Sequence, residues 1–196
     1  ILCDNVTIDN VTINNPYDSP NTDGIDPESC SNIHISNCHV DVGDDCIAIK
    51  AGTEGTAERV PCKNITITNC TMVHGHGGVV IGSEMSGSVE NVTISNCVFT
   101  NTDRGIRLKS RRYRGGAVQD IRVDNVIMEN VLCPFIANLY YMWGPRGMDP
   151  DVVCKYKALF LNRLNTNIHS RFAFNSIICN RDIYIFKCTI FNIHFS

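Results

Sequence analysis

Ile65-Thr-Ile-Thr-Asn-Cys-Thr-Met72 is the stretch that decides the fold, because the chain spells it five times with small variations. The other copies are Val6-Thr-Ile-Asp-Asn-Val-Thr-Ile13, Ile33-His-Ile-Ser-Asn-Cys-His-Val40, Val92-Thr-Ile-Ser-Asn-Cys-Val-Phe99 and Ile121-Arg-Val-Asp-Asn-Val-Ile-Met128. They start at residues 6, 33, 65, 92 and 121, which gives a period of 27 to 32 residues. Each copy opens on β-branched residues in alternation, the pattern of a half-buried strand, and each carries asparagine at its fifth position. One such unit cannot bury its apolar face alone, so the copies must stack, each strand pairing with its equivalent in the next coil. Leucine-rich repeats have a similar period, but no leucine occurs from Cys3 to Arg107. A second short strand follows in each period, at Gly24-Ile25, Cys46 to Lys50, Gly78 to Gly82 and Gly105 to Lys109. Two or three strands per coil, joined by Gly- and Asn-rich turns, predict an all-β right-handed parallel β-helix.

The totals agree with a globular chain: 43% of its 196 residues are hydrophobic and the mean hydropathy is near zero. No segment approaches the roughly 18 apolar residues of a membrane-spanning helix, so no membrane association is expected. A net charge of −3 argues against general attraction to nucleic acid. Eleven cysteines are too sparse for a disulfide-built miniprotein. Cys38, Cys70 and Cys97 share one repeat position and read as a column of small interior thiols, and Asn37, Asn69 and Asn96 as a hydrogen-bonding ladder. The Asn-X-Thr triplets at Asn5, Asn10, Asn64 and Asn91 are explained by the repeat itself.

After about Met148 the character changes. Residues 151–196 contain no glycine and no proline, while coils need turns. The expected division is therefore a partial β-helix domain over residues 1–148 and a tail over 149–196 that is poorly ordered or not native to the fold. The start at Ile1, without Met or a leader-like run, reads as the interior of a longer protein.

Four polar clusters run into short apolar stretches: Asn21-Thr22-Asp23-Gly24, Gly43-Asp44-Asp45-Cys46, Gly75-His76-Gly77 and Arg104-Gly105-Ile106-Arg107-Leu108-Lys109. Counted from the repeat starts, Asp44 and His76 lie at offset 11 and Arg104 at offset 12, so stacking puts them above one another, about 4.8 Å per coil. Asp23 is delayed by the loop Asn14 to Pro20 and is expected in the coil beneath Asp44 and Asp45. Such a column suits glycosidic hydrolysis, which needs one protonated carboxyl and at least one ionised carboxylate. Like charges this close cannot all ionise together. One to two strand spacings between acids suits the wider, inverting geometry, with a water between base and sugar. Gly43 allows a bend that lets both Asp44 and Asp45 reach one cleft. His76 is placed to bond a carboxyl, whereas His74 reads as a turn residue without a partner. Arg107 and Lys109 alternate onto one side of their strand and suit an anionic sugar. Arg111, Arg112 and Arg114 read as a solvated basic face. Tyr113 is the only aromatic among these cations, so the stacking platforms of a nucleic-acid groove are missing. A calcium loop would want more oxygen ligands. Tyr140 and Tyr141 read equally as lining for the product side of the groove and as core or edge packing.

Asn-Thr-Asp-Gly (21–24), Gly-Asp-Asp-Cys (43–46), Gly-His-Gly (75–77) and Arg-Leu-Lys (107–109), in this order, resemble the signature motifs of the polygalacturonases, glycoside hydrolase family 28. The match covers roughly residues 1 to 147, and the wording is closer to exo-acting bacterial members. The resemblance implies a monomeric, metal- and cofactor-free enzyme that cleaves α-1,4 linkages of polygalacturonate with inversion, secreted or periplasmic by its class. It implies Asp44 as general acid, Asp23 and Asp45 as the pair that activates water, and His76 as support for the acid. Arg107 and Lys109 would hold substrate carboxylates, with Asn21 and Tyr140 as further substrate contacts. The alternative is a catalytically inactive β-helix that binds carbohydrate without turnover.

Overall fold

In the computed structural model, which describes residues 1–111, 114–139, 141, 155–166 and 183–190, the repeats wind into a right-handed parallel β-helix. The first coil holds β1 (Asp4–Asp9) and β2 (Thr12–Asn14). The second holds β3 (Ser31–Ser36), β4 (His39–Val42) and β5 (Asp45–Ile49), and the third β6 (Cys62–Thr68), β7 (Thr71–His74) and β8 (Gly77–Ile81). The fourth holds β9 (Val89–Ser95), β10 (Val98–Thr100) and β11 (Arg104–Lys109), and the fifth β12 (Ala117–Glu129) and β13 (Cys133–Asn138). All pairings are parallel and join equivalent strands of successive coils, so β1-β3-β6-β9, β2-β4-β7-β10 and β5-β8-β11-β13 form three stacks. The 13-residue β12 continues the first two stacks at once. β14 (Lys155–Thr166) pairs along β12, and β15 (Ile183–Ile190) pairs with β14. Leu161 and Leu164 of β14 join the core. The boundary expected at Met148 falls outside the described residues.

The recurrent asparagines bend the chain at fixed positions, some between strands and some inside them. Asn10, Asn37, Asn69, Asn96 and Asn125, the fifth-position residues, have φ between +54° and +56°. Asn5, Asn32, Asn64 and Asn91 repeat this at a second column, with φ of +53° to +57°. Asparagine enters the left-handed region at low cost because its short amide bonds locally, whereas a β-branched residue does not. The continuous amide ladder runs through this second column: Asn64 donates to Asn32 at 3.0 Å and Asn91 to Asn64 at 2.9 Å. At the fifth position, Asn125 donates to Asn96 at 2.7 Å, while Asn37 donates to Asp9 at 2.8 Å.

Alternation turns like residues inward above like. Ile35, Ile67, Ile94 and Val123 stack in one buried row, Ile33, Ile65, Val92 and Ile121 in another. Cys38, Cys70 and Cys97 are buried free thiols, each donating to the main-chain oxygen two residues back at 3.2 Å. Phe99 lies against Gly78, where a Cβ would sit 2.8–3.0 Å from three ring atoms. Phe99 is fully buried, so Phe99→Ala should cost about 3–5 kcal/mol of stability through lost burial and a cavity. Urea unfolding of the two chains measures this; a loss below about 1 kcal/mol would show that the ring is not part of the packed interior.

Candidate active site

The turn between the second and third stacks carries the polar column, and main-chain hydrogen bonds set its register. Ile25 bridges to Ile47, and Gly24 N–H donates to Asp45 O at 3.0 Å, which places Asp23 beneath Asp45. Asp45 pairs with Gly77 in the strand ladder, and His76 N–H donates to Asp44 O at 3.0 Å, so His76 lies over Asp44. Gly75 permits the approach, having φ of +74° and no Cβ to run into the Asp44 carbonyl. In the next coil Ile106 pairs with Val79, which puts Asp103 over His76 and Arg104 over Gly77. The expected place of Arg104 in the column is thus one residue off. Asp103 holds that rung and shares offset 11 with Asp44 and His76, a signal present in the sequence.

Asn21, Asp23, Asp44, Asp45, His76, Arg107 and Lys109 all line one groove of about 700 Å³, together with Lys50, Asp103 and Tyr141. Tyr140, the other expected aromatic contact, lies outside the described residues. Asp23, Asp44 and Asp45 each bring a carboxylate oxygen within 4.8 Å of the others. This is about one strand spacing, the near end of the one to two spacings expected from the sequence.

Each acid has a different environment. Asp44 bends out of the strand at Gly43, and its two oxygens accept the N–H groups of Asn21 at 3.1 Å and Asp45 at 3.0 Å. Asp45 is 1% exposed and its Oδ2 accepts from Lys109 Nζ at 2.6 Å. Its Oδ1 has no hydrogen-bond partner, with Arg107 Nη1 at 3.6 Å. Burial pushes the Asp45 carboxyl above its ordinary range, and Lys109 and Arg107 pull back against that. Asp23 lies 3.3 Å from Lys50 Nζ, which also contacts Asp26 at 2.7 Å. Lys50 and Lys109 offset the outer two acids from within the protein, an arrangement for holding and moving protons more than for enclosing a cation. Arg107 and Lys109 sit over the Tyr141 ring, 5.7 and 5.1 Å from its centre.

His76 Nδ1 meets a carboxyl, that of Asp103, with Oδ2 at 3.0 Å. Two further expectations need correction. His74 does have partners, with Nδ1 2.8 Å from Asp41 Oδ1 and its ring 5.6 Å from that of Tyr17. Arg111 and Arg114 are buried, not solvated: Arg111 pairs with Glu54 at 2.6 Å, and Arg114 with Glu54 at 3.2 Å and Glu84 at 3.3 Å. They fasten the 52–60 loop to the groove wall at Glu84. Lys50 was not foreseen because strand periodicity does not show which acid a terminal lysine will reach.

With the geometry in place, comparison with known proteins is informative. The sequence model of the family described as glycosyl hydrolases family 28 matches residues 1–193. A probable polygalacturonase of Vitis vinifera is 40% identical over 150 residues, 75% of this chain and 30% of the relative. An exopolygalacturonase of Arabidopsis thaliana is 32% identical over 188 residues, 93% of this chain and 41% of the relative. The chain therefore spans less than half the length of these curated relatives. The solved polygalacturonase of Erwinia carotovora superposes with a TM-score of 0.70 at 26% identity, over 94% of this chain and 52% of that one.

The groove also predicts a pH effect on folding. Burial pushes the Asp26 carboxyl up to about 6, against the pull of Lys50 and with the repulsion of Asp23. Its ordinary value is 3.8, so the folded chain holds this proton more tightly than the unfolded one. The resulting stabilisation is fully present below about pH 4 and is lost as pH rises through about 6. Asp26→Asn should remove that dependence, so its urea midpoint should gain on the wild type between pH 4 and pH 7. Parallel midpoints across that range would refute the assignment.

Proposed function

The chain belongs to family 28 of the glycosyl hydrolases, and on that premise we propose that the protein hydrolyses α-1,4-galacturonosidic bonds of polygalacturonate, the substrate of a pectin-degrading enzyme. The observation that carries this reading is the trio of carboxylates within 4.8 Å of one another, in one groove with Arg107 and Lys109. Each galacturonate unit brings a carboxylate, and Arg107 is the cation of the groove left to meet it. Arg107 approaches Asp45 only to 3.6 Å and so retains donors for a substrate carboxylate. Lys109 is spent on Asp45, and its part is to hold that acid in place. Tyr141 offers a ring face beside both cations, and Asn21 fixes Asp44 through its main-chain N–H.

In this reading Asp44, the acid at the bend, donates a proton to the leaving oxygen, while Asp23 and Asp45 activate water. The unpartnered Oδ1 of Asp45 is the acceptor that such a water needs. Inversion is part of the proposal, and the enclosure of Asp45 supports it: a carboxylate that is 1% exposed and bonded to Lys109 is poorly placed to attack a sugar carbon itself and better placed to act on water. Exo action is proposed from the wording of the stretches Asn21 to Cys30, Gly43 to Lys50 and His76 to Gly87, while the relatives include both exo- and endo-acting enzymes. We further propose that the protein acts as a monomer and without a metal or cofactor.

Release of reducing ends from polygalacturonate tests the reaction, and Asp44→Asn should lower the rate about 10²- to 10⁴-fold. Exo action should yield monogalacturonate from the first minutes with little fall in viscosity, and inversion should give the β-anomer before mutarotation. Binding of oligogalacturonate without turnover, unchanged in Asp44→Asn, would favour an inactive carbohydrate-binding β-helix.

A further inference from the structure

His76 and Asp103 occupy successive rungs of the groove turn, and the main chain pins both. Asp103 N–H donates to Gly75 O at 2.9 Å, and Asp103 O accepts from Cys133 N–H at 3.0 Å, so coils on both sides hold the residue. His76 N–H is held by Asp44 O. The side chains then meet at 3.0 Å, through His76 Nδ1 and Asp103 Oδ2. Arg104 Nη1 donates to the same oxygen, also at 3.0 Å, so this oxygen is an acceptor toward two donors. A carboxylate has no hydrogen to give, and the ring nitrogen that faces it must carry one.

We propose that Asp103 is a positioning residue: it holds the His76 imidazole as the Nδ1–H tautomer and so presents Nε2 to the groove as a hydrogen-bond acceptor. Free neutral imidazole favours the opposite form, with hydrogen on Nε2, which would present a donor. The distinction matters in a groove of acids. An accepting Nε2 takes a hydrogen from a protonated carboxyl or a sugar hydroxyl, whereas a donating one would favour the ionised acid. His76 is 51% and Asp103 36% exposed at the side chain, so water competes and Asp103 biases the tautomer more than it locks it. The role of His76 in catalysis rests on the hydrolase reading, but its tautomer does not.

The test separates the two. With the chain labelled with ¹⁵N-histidine, long-range ¹H–¹⁵N spectra at a pH where the rings are neutral report which nitrogen carries hydrogen. Wild-type His76 should show the Nδ1–H pattern. Asp103→Ala should convert it toward Nε2–H, and Asp103→Asn, which keeps an accepting oxygen, should restore it in part. His74, bonded through Nδ1 to Asp41, is the internal control and should stay Nδ1–H in every variant, which also shows that the coil is folded. Nε2–H at His76 in the wild type, or no change in Asp103→Ala, overturns the inference. Kinetically, Asp103→Ala should lower kcat about tenfold with KM within about twofold, the effect of one exposed charge-assisted hydrogen bond. A rise in KM with kcat unchanged would make Asp103 a substrate contact and overturn the positioning role. A wild type that releases no reducing ends would sink the hydrolase reading while the spectra still decide the tautomer.

Discussion

Parallel pairing between consecutive coils is the constraint on which the rest of the molecule depends. Each rung repeats the chain path of the last, so a side chain's neighbour across the sheet is its counterpart one period away. The interior is filled by this rule, isoleucine over isoleucine and cysteine over cysteine. The groove is built by the same rule. The ladder that pairs Ile25 with Ile47, Asp45 with Gly77 and Ile106 with Val79 also brings Asp23 under Asp45 and stacks Asp103 on His76. The proximity of these groups is a by-product of strand registry, and rigid strands hold it more tightly than free loops would.

Concentrating three carboxylates along one edge is costly unless charge is returned to them. The protein does this with lysines from other rungs: Lys109 reaches Asp45 from two coils on, and Lys50 reaches Asp23 from one coil on. The middle acid, Asp44, is served by main-chain N–H groups instead. Three acids of one residue type thus have different partners, and Asp45 alone is buried, the usual way in which carboxylates in one site acquire separate duties.

Much of this was legible in the sequence because a solenoid converts spacing into position. The five-fold repeat, the alternation of β-branched residues and the absence of leucine from Cys3 to Arg107 specify the coil, and the offsets of Asp44 and His76 specify the column. The same offset marks Asp103, but it lies in no conspicuous motif, and the adjacent Arg104 drew attention by its charge. Lys50, Arg111 and Arg114 were opaque for another reason. Long side chains choose partners tens of residues away, Glu54 for Arg111 and Asp26 for Lys50, and periodicity is silent on where a flexible terminus ends. The asparagines were visible as a pattern but not as a device, because strand alternation does not show which residues interrupt it with a left-handed φ.

The unequal periods carry a consequence of their own. The repeats that start at 33 and 65 are separated by 32 residues, against 27 for the pairs before them and after them, yet the strands still align one to one. The surplus leaves the sheet between Ala51 and Pro61, and the loop from Asn14 to Pro20 leaves it in the coil below. Contour length and lattice are therefore independent variables in this architecture. Evolution can lengthen, shorten or restyle the banks of the trench while the bed beneath keeps its dimensions, so the rim can change shape without moving the acids on its floor.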